Sequence, residues 1–382
     1  MDEAPFVAGF CDERFAAVKR EFTENFRERG ERGGAVAIWH EGRVVVDLWG
    51  GWADVARRHA WEEDTIVNFF SVSKALCAIA VMRLAERGSI DLDERVAAYW
   101  PEFAQGGKDE VRVRQLMSHQ AGLPAIREPL PDGAAMEWSV ITNALAGQTP
   151  WWKPGTAHGY HVNTFGFLAG ELVRRVSGRS IGTLLREDVA LPLGADIHIG
   201  LPAGEHHRVS EFLWPGNPVK PPLDGDNDLM RWNTYWNPPG FSGSNWVNTA
   251  RWREAEVPST NGHGNARGIA RVYAALAAGG EVDGIRILSS SAIDEATTEQ
   301  VNGPDIINQR NSRFGIGFQL TQPERPLGPN AGAFGHFGAG GSLGFCDPQG
   351  RVAFGYVTND MGPRWQNPRN RALIDAVYSS VR

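Results

Sequence analysis

The sequence predicts an α+β fold: an antiparallel sheet flanked by terminal helices, with an all-helical domain inserted in the middle of the chain. Three observations carry this. Strand-like runs occur near the start and again after about residue 285, helical periodicities fill the interval, and a helical stretch lies close to each end. This order assigns residues 1–70 and 265–382 to a discontinuous sheet domain and residues 71–264 to a mainly helical domain.

Each element has its own signal. Residues 12–30 place Phe15, Val18, Phe22 and Phe26 three or four apart, the spacing of one helix face. "GAVAIWHEGRVVVDLWGG" holds two β-rich runs around His40, Glu41, Gly42 and Arg43, which predicts a hairpin. A long helix begins at Ser71 and runs to about Arg87, where Gly88 stops it. "SIDLDERVAAYWPEF" predicts a loop and a short helix, and "VRVRQLMSHQAGLP" a helix closed by a Gly-Leu-Pro turn. Phe165, Leu168, Leu172 and Val176 mark another helix, and "SIGTLLREDVALPLG" stays helical up to Pro192. Residues 202–262 break the pattern. This segment is rich in Pro, Asn, Gly and Trp, has weak periodicity, and is expected to be irregular and to shape a site. "ARGIARVYAALAAGG" returns to helix. From about residue 285 the chain turns β-rich through "FGIGFQL", "GAFGHFG", "SLGFCD" and "RVAFGYVTN", and "NRALIDAVYSSVR" closes it with a helix.

Composition narrows the function. Among 382 residues, 38 Lys+Arg stand against 45 Asp+Glu, a net charge of −7. A modest, interspersed acidic balance argues against nucleic acid as a partner. No apolar run approaches the roughly 18 residues of a membrane span, so no membrane partner is expected. "MDEAPFVAGFCDERF" is acidic where a secretory signal carries positive charge, so a cytoplasmic location is expected. Cys11, Cys77 and Cys346 are odd in number and far apart, which predicts reduced thiols and no metal spacing. No metal or organic cofactor is expected. Tryptophan is abundant, at 14 residues, and clusters in "TPWWKPG" and "RWNTYWNPPGFSGSNWVNTARW". Such segments can line an apolar cleft or anchor loops to the core; Trp236 and Trp246 are the candidate pocket residues.

The chemistry sits in "VNFFSVSKALCAIA", residues 67–80. Ser71 and Lys74 are three apart, on one helix face, while Ser73 points about 100° away. Burial of an ammonium lowers its pKa, and a neutral amine can take the proton of Ser71 and make it a nucleophile. S-x-x-K alone occurs by chance, and a lysine near a helix start can also snorkel to solvent.

Four segments in order raise the signal. They are "FFSVSKALCA", "VRVRQLMSHQAGLP", "PGTAHGYHVNTFGFLAGELVRRVSGRS" and "FGHFGAGGSLGFCDPQGRVAFGYVTN", spanning about residues 34 to 360. Together they resemble the serine β-lactamase/penicillin-binding-protein superfamily, most narrowly its class-C-like family VIII carboxylesterases. The resemblance implies a β-lactamase-like fold and an acyl-enzyme on Ser71. It implies that Lys74 and Tyr160 share the base role, with Tyr160 protonating the leaving alkoxide. A tyrosine between cations would have a lowered pKa. His336, Phe337 and Gly338 stand where lactamases carry Lys-Thr-Gly; His336 is expected to assist the tyrosine or orient substrate, with simple packing as the alternative. The oxyanion hole falls by analogy on the backbone N–H groups of Ser71 and Ala339, beside Gly338 in a glycine-rich stretch that permits close backbone approach.

Where lactamases carry Tyr-x-Asn this chain has Val162, and Asn163 lies one residue further, reaching the site only through a bulge. His161 is a candidate structural hydrogen-bonder, and His119 is expected to be a satisfied buried histidine. "GGSLG", residues 340–344, matches a nucleophile elbow but precedes a turn and a strand, not a helix. The reading is a carboxylesterase-type serine hydrolase acting on a small-molecule ester, by hydrolysis or acyl transfer. The alternatives are a β-lactamase or D-amino-acid amidase/peptidase of the same fold, and a non-catalytic binding protein.

Overall fold

The computed structural model describes residues 6–216, 219–362 and 366–381. Its centre is a nine-stranded sheet of β1 (Val7–Cys11), β2 (Gly33–His40), β3 (Arg43–Gly51), β4 (Val301–Asp305), β5 (Arg310–Phe314), β6 (Gln319–Leu320), β7 (Phe334–Phe337), β8 (Leu343–Asp347) and β9 (Val352–Thr358). The order across the sheet is β1-β3-β2-β9-β8-β7-β6-β5-β4, with every pair antiparallel. Strands from both ends of the chain thus share one sheet, joined where Val352 faces His40 and Thr358 faces Gly34. The β2–β3 hairpin turns on Glu41 and Gly42, both at positive φ (53° and 79°), the backbone a two-residue turn needs to follow the sheet's twist.

Six helices frame the sheet and the cleft beside it: α1 (Ala16–Glu28), α2 (Ser73–Glu86), α3 (Thr164–Ser177), α4 (Asp226–Trp236), α5 (Ala266–Ala277) and α6 (Pro368–Ser380). The terminal helices α1 and α6 cover one face of the sheet. There Phe15, Val18, Phe22 and Phe26 are buried with Ile38 and Leu48 of the sheet and Leu373 and Val377 of α6. The spacing read from the sequence is therefore a core-facing stripe. Helix α5 lies against the other face, close enough that glycine is required beneath it. A Cβ at Gly355 would sit 2.2 Å from the Ala266 carbonyl oxygen, and one at Gly344 would sit 2.3 Å from the Tyr273 ring. Helix α2 is buried from Ser73 to Leu84 on every side and packs against α3, as an apolar-all-round helix must.

Three expectations are corrected. Residues 202–262 are not wholly irregular, since α4 and a short helix Ala250–Glu254 lie within them. The buried side of α4 is Met230, Asn233 and Thr234, so polar residues hide its apolar period; Asn233 Nδ2 donates to the Ile126 carbonyl at 2.9 Å. The β-rich tail also contains a helix, Ser290–Thr297, capped by Ser289, whose hydroxyl accepts from Ala292 N–H at 3.2 Å. "FGIGFQL" is split between β5 and β6 by a turn in which Gly317 has φ 73°. Among the described residues, no helix is long and apolar enough to cross a membrane.

Candidate active site

Ser71 sits in a single 3₁₀ turn, Phe70–Val72, that leads into α2. The residue before it, Phe70, has φ 51°, a conformation that bulky side chains adopt only under constraint. The constraint is visible. Phe70 packs edge-on to Phe212 (ring centroids 4.8 Å apart), and Phe69 N–H is tied to the Gly262 carbonyl at 2.8 Å. Ser73 is the other clamp: its hydroxyl donates to the Phe70 carbonyl and accepts from Gly262 N–H at 3.1 Å. Ser71 and Ser73 thus separate into an oxygen at a cleft and an oxygen spent on the turn.

Lys74 Nζ lies 3.0 Å from Ser71 Oγ and 3.1 Å from the Ser259 carbonyl oxygen, and it sits 4.8 Å over the Tyr160 ring. It is fully buried, and burial holds its pKa well below the ordinary 10.5. Tyr160, also fully buried, hydrogen-bonds Ser71 through its side chain. Its pKa is pushed well above 10.0, chiefly by burial, and the Ser71 hydrogen bond only partly offsets this. The expected lowering of the tyrosine's pKa is therefore corrected. The amine beside it favours its neutral form, and the pull of Arg310 on the phenol's proton is outweighed by burial. The group able to accept a proton from Ser71 in this arrangement is the neutral amine, and the group able to donate one is the phenol.

Asp305, unnoticed in the sequence, fixes the tyrosine's backbone. Its Oδ1 accepts from the N–H groups of Tyr160 (3.1 Å), Ile307 (2.9 Å) and Asn308 (2.8 Å). Its Oδ2 accepts from Ser312 Oγ at 2.9 Å, and Ser312 Oγ pairs with His158 Nε2 at 3.0 Å. The local sequence signals an Asx turn at residue 305 but not that this turn reaches residue 160.

The histidines divide by placement. His161 is a structural connector: Nδ1 donates to the Gly159 carbonyl at 2.6 Å and Nε2 accepts from Leu123 N–H at 3.0 Å. His119 accepts from His161 N–H at Nδ1 (3.2 Å), but its buried Nε2 has no partner among the described residues, so the expectation of full satisfaction is corrected. Its ring lies edge-on to Tyr160 at 5.1 Å. His336, on β7, stacks on Tyr160 (5.9 Å, 30°) and hydrogen-bonds the Phe337 carbonyl through Nδ1 at 2.7 Å. Burial holds it neutral, its pKa about 3. It is not among the cleft's lining residues.

The cleft above Ser71 has a volume of about 290 Å³. Phe70, Ser71, Val162, Asn163, Trp214, Pro215, Gly216, Tyr235, Trp236, Ser242, Thr260, Ala339 and Met361 line it. No described lining side chain is charged. Three of its polar side chains, Asn163, Ser242 and Thr260, are engaged with one another or with backbone. Thr260 Oγ1 donates to Asn163 Oδ1 (2.7 Å), Asn163 Nδ2 donates to the Thr234 carbonyl and to Ser242 Oγ (both 2.9 Å), and Ser242 Oγ donates to the Tyr235 carbonyl (3.1 Å). Of the predicted site residues, the cleft brings together Ser71, Asn163, Trp236 and Ala339, with Lys74 and Tyr160 beneath. Trp246 lies outside the lining; its indole N–H donates to Asp132 Oδ1 at 2.9 Å. Gly338 abuts the nucleophile turn, since a Cβ there would lie 2.4 Å from the Phe69 carbonyl oxygen. Trp214, Tyr235 and Met361 are lining residues that sequence reasoning did not single out.

The family model for Beta-lactamase matches residues 18–379, a span that includes every residue of this cleft. The chain belongs to the Beta-lactamase family. The Mycobacterium tuberculosis protein Esterase/beta-lactamase LipL is 37% identical over 362 residues, 92% of this chain and 83% of its own length. Two solved structures follow the Beta-lactamase fold along almost the whole chain. A family VIII carboxylesterase is 43% identical with a TM-score of 0.91, covering 98% of this chain and 100% of that one. A penicillin-binding protein homolog from Caulobacter crescentus is 41% identical with the same TM-score and coverage.

Proposed function

We propose that this Beta-lactamase-family protein is a serine hydrolase that cleaves, or transfers acyl groups from, small carboxylic esters through an acyl-enzyme on Ser71. The observation that carries the reading is the 3.0 Å contact between Ser71 Oγ and a wholly buried amine at the floor of an uncharged cleft. Ser71 Oγ attacks the ester carbonyl while its proton passes to neutral Lys74 Nζ. The oxyanion is met by the backbone N–H groups of Ser71 and Ala339, each such donor being worth about 3–4 kcal/mol of transition-state stabilisation. Collapse expels the alkoxide, which takes the Tyr160 proton, and the protonated Lys74 restores the phenol. Water, or an acceptor alcohol, then adds to the acyl-enzyme carbonyl as its proton goes to the same pair; collapse breaks the bond from the acyl carbon to Ser71 Oγ, the pair returns the proton to that oxygen, and the acid or new ester leaves.

The cleft's composition favours an ester over a β-lactam or a D-amino-acid amide. A bound carboxylate or ammonium would find no charged partner among the described lining residues, and an uncompensated charge in an apolar cleft is strongly disfavoured. The Asn163 amide, the nearest counterpart of the lactamase asparagine, already holds the far wall. The likeness to a family VIII carboxylesterase structure supports the same choice. The test compares p-nitrophenyl butyrate with nitrocefin. Higher kcat/KM on the ester is expected, and faster turnover of the cephalosporin overturns the reading. A fluorophosphonate adduct on the peptide containing Ser71 is expected; its absence would favour a silent binding protein.

A further inference from the structure

We propose that Asn367 and Asn370, at the start of α6, are positioning residues for the oxyanion site: they hold the loop of residues 338–342 so that the Ala339 amide meets a carbonyl oxygen bound at Ser71. The proposal rests on Ser71 being the nucleophile.

The loop cannot hold itself rigidly. Three of its five residues are glycine, and Gly340 and Gly341 take φ of 82° and 118° with no side chain to lock them. Its own hydrogen bonds are two: Gly338 N–H to the Ser342 carbonyl at 2.7 Å, and Gly341 N–H to the Gly338 carbonyl at 3.2 Å. On one side it backs onto the nucleophile turn at Phe69. On the other side it meets α6. Gly340 O accepts from Asn367 Nδ2 at 3.1 Å and from Gly362 N–H at 3.2 Å, and Gly341 O accepts from Asn370 Nδ2 at 2.9 Å. The two carbonyls that come after Ala339 are thus both held from α6.

The choice of asparagine goes beyond what the helix needs. Asn367 Oδ1 accepts from the N–H groups of Arg369 (3.0 Å) and Asn370 (3.4 Å), and Asn370 Oδ1 accepts from Asn367 N–H at 3.0 Å. That reciprocal cap uses only the oxygens, and aspartate or serine caps a helix as well as asparagine does. The two NH₂ groups go to the loop. Both side chains are buried, and Arg369 between them is anchored to buried Glu31 at 3.2 Å. A short rigid link therefore runs from the sheet, through the start of α6, to the residue that would bind the oxyanion.

Asn367→Asp, Asn370→Asp and Asn367→Ser test this, because each retains a capping oxygen and loses the donor to the loop. The expected result is a loss in kcat of about 10–100-fold in the Asp variants, a fraction of what deleting one oxyanion donor removes. KM should change by less than about threefold, with Asn367→Ser affected less. A trifluoromethyl ketone bearing the butyryl chain, which takes Ser71 Oγ onto its carbonyl carbon and carries the oxyanion, should lose affinity by the same factor as kcat. Butyrate binding should not change. Wild-type kcat in folded variants, or reduced kcat with unchanged ketone affinity, overturns the proposal. So does loss of folding in all three, which would make the pair a structural staple. Ser71→Ala run alongside keeps the two readings apart: turnover surviving in it sinks the nucleophile assignment, whereas a dead Ser71→Ala with normal Asn variants sinks only the positioning role.

Discussion

Replacing Lys74 with methionine isolates the chemistry from the fold. Methionine nearly fills the lysine's volume but cannot accept the proton of Ser71. Nζ is 3.0 Å from Ser71 Oγ, close enough for direct transfer, and the other side chain bonded to Ser71, Tyr160, is held protonated by burial. No second base is therefore available, and the full contribution of general-base catalysis, about 10²–10⁴-fold, should disappear from kcat/KM. Burial of the amine is what makes it usable: a lysine at its ordinary pKa of 10.5 would be neutral in only about one molecule in 10³ at pH 7.5. Stability should move the other way. The folded chain disfavours the protonated amine, so below the unfolded pKa of 10.5 the unfolded chain binds more protons and the lysine opposes folding. That opposition weakens as pH rises from the folded pKa towards 10.5. Methionine carries no such term, so Tm near pH 7 should equal or exceed that of the wild type, although the Ser259 carbonyl loses one donor. Turnover of p-nitrophenyl butyrate, the second-order rate of fluorophosphonate labelling and thermal unfolding measure all three. A folded Lys74→Met protein within tenfold of wild-type kcat/KM would refute the reasoning.

The same geometry sets other outcomes. The kcat/KM profile should rise with pH through one limb set by Lys74, and His336→Asn should leave that limb in place, because His336 is already neutral with a pKa of about 3; a limb near pH 6.5 that vanished in this variant would show otherwise. Tyr160→Phe keeps the stacking on Phe314 (5.8 Å) but removes the proton donor, so kcat should fall about 10²-fold or more with little change in Tm. Trp236→Ala should flatten acyl-chain preference, since each methylene that meets the indole is worth about 0.8 kcal/mol, roughly fourfold in kcat/KM, whereas Trp246→Ala should leave that preference alone. Glu31→Ala strips the buried partner from Arg369, leaving it the more distant Asp360 at 3.8 Å, and should lower stability by about 3 kcal/mol in denaturant titration.

The parts of this molecule that are legible in the sequence are those written in local spacing. Phe15, Val18, Phe22 and Phe26 describe their own helix face, and Ser71 and Lys74 meet because they are one turn apart. What escapes is non-local or electrostatic. Asp305 reaches Tyr160 across 145 residues, and no periodicity records such a bond. Helix α4 is inconspicuous because it buries asparagine and threonine instead of an apolar stripe. Counting nearby cations misjudges the tyrosine's pKa, because it ignores what burial does to each of them. Trp236 and Trp246 look alike in composition, yet only the first lines the cleft, since the second is drawn aside to Asp132.

The seam where Val352 faces His40 also has a temporal meaning. A ribosome releases the hairpin of residues 33–51 some three hundred residues before its neighbour β9 emerges. Until then β2 presents an unzipped backbone edge, and the central platform closes only once β9 is available. Native pairing so distant along the polypeptide is intrinsically slow and leaves a nascent chain prone to mispairing. Refolding from denaturant should accordingly be sluggish, and yield should improve with dilution or a chaperone that shields that edge.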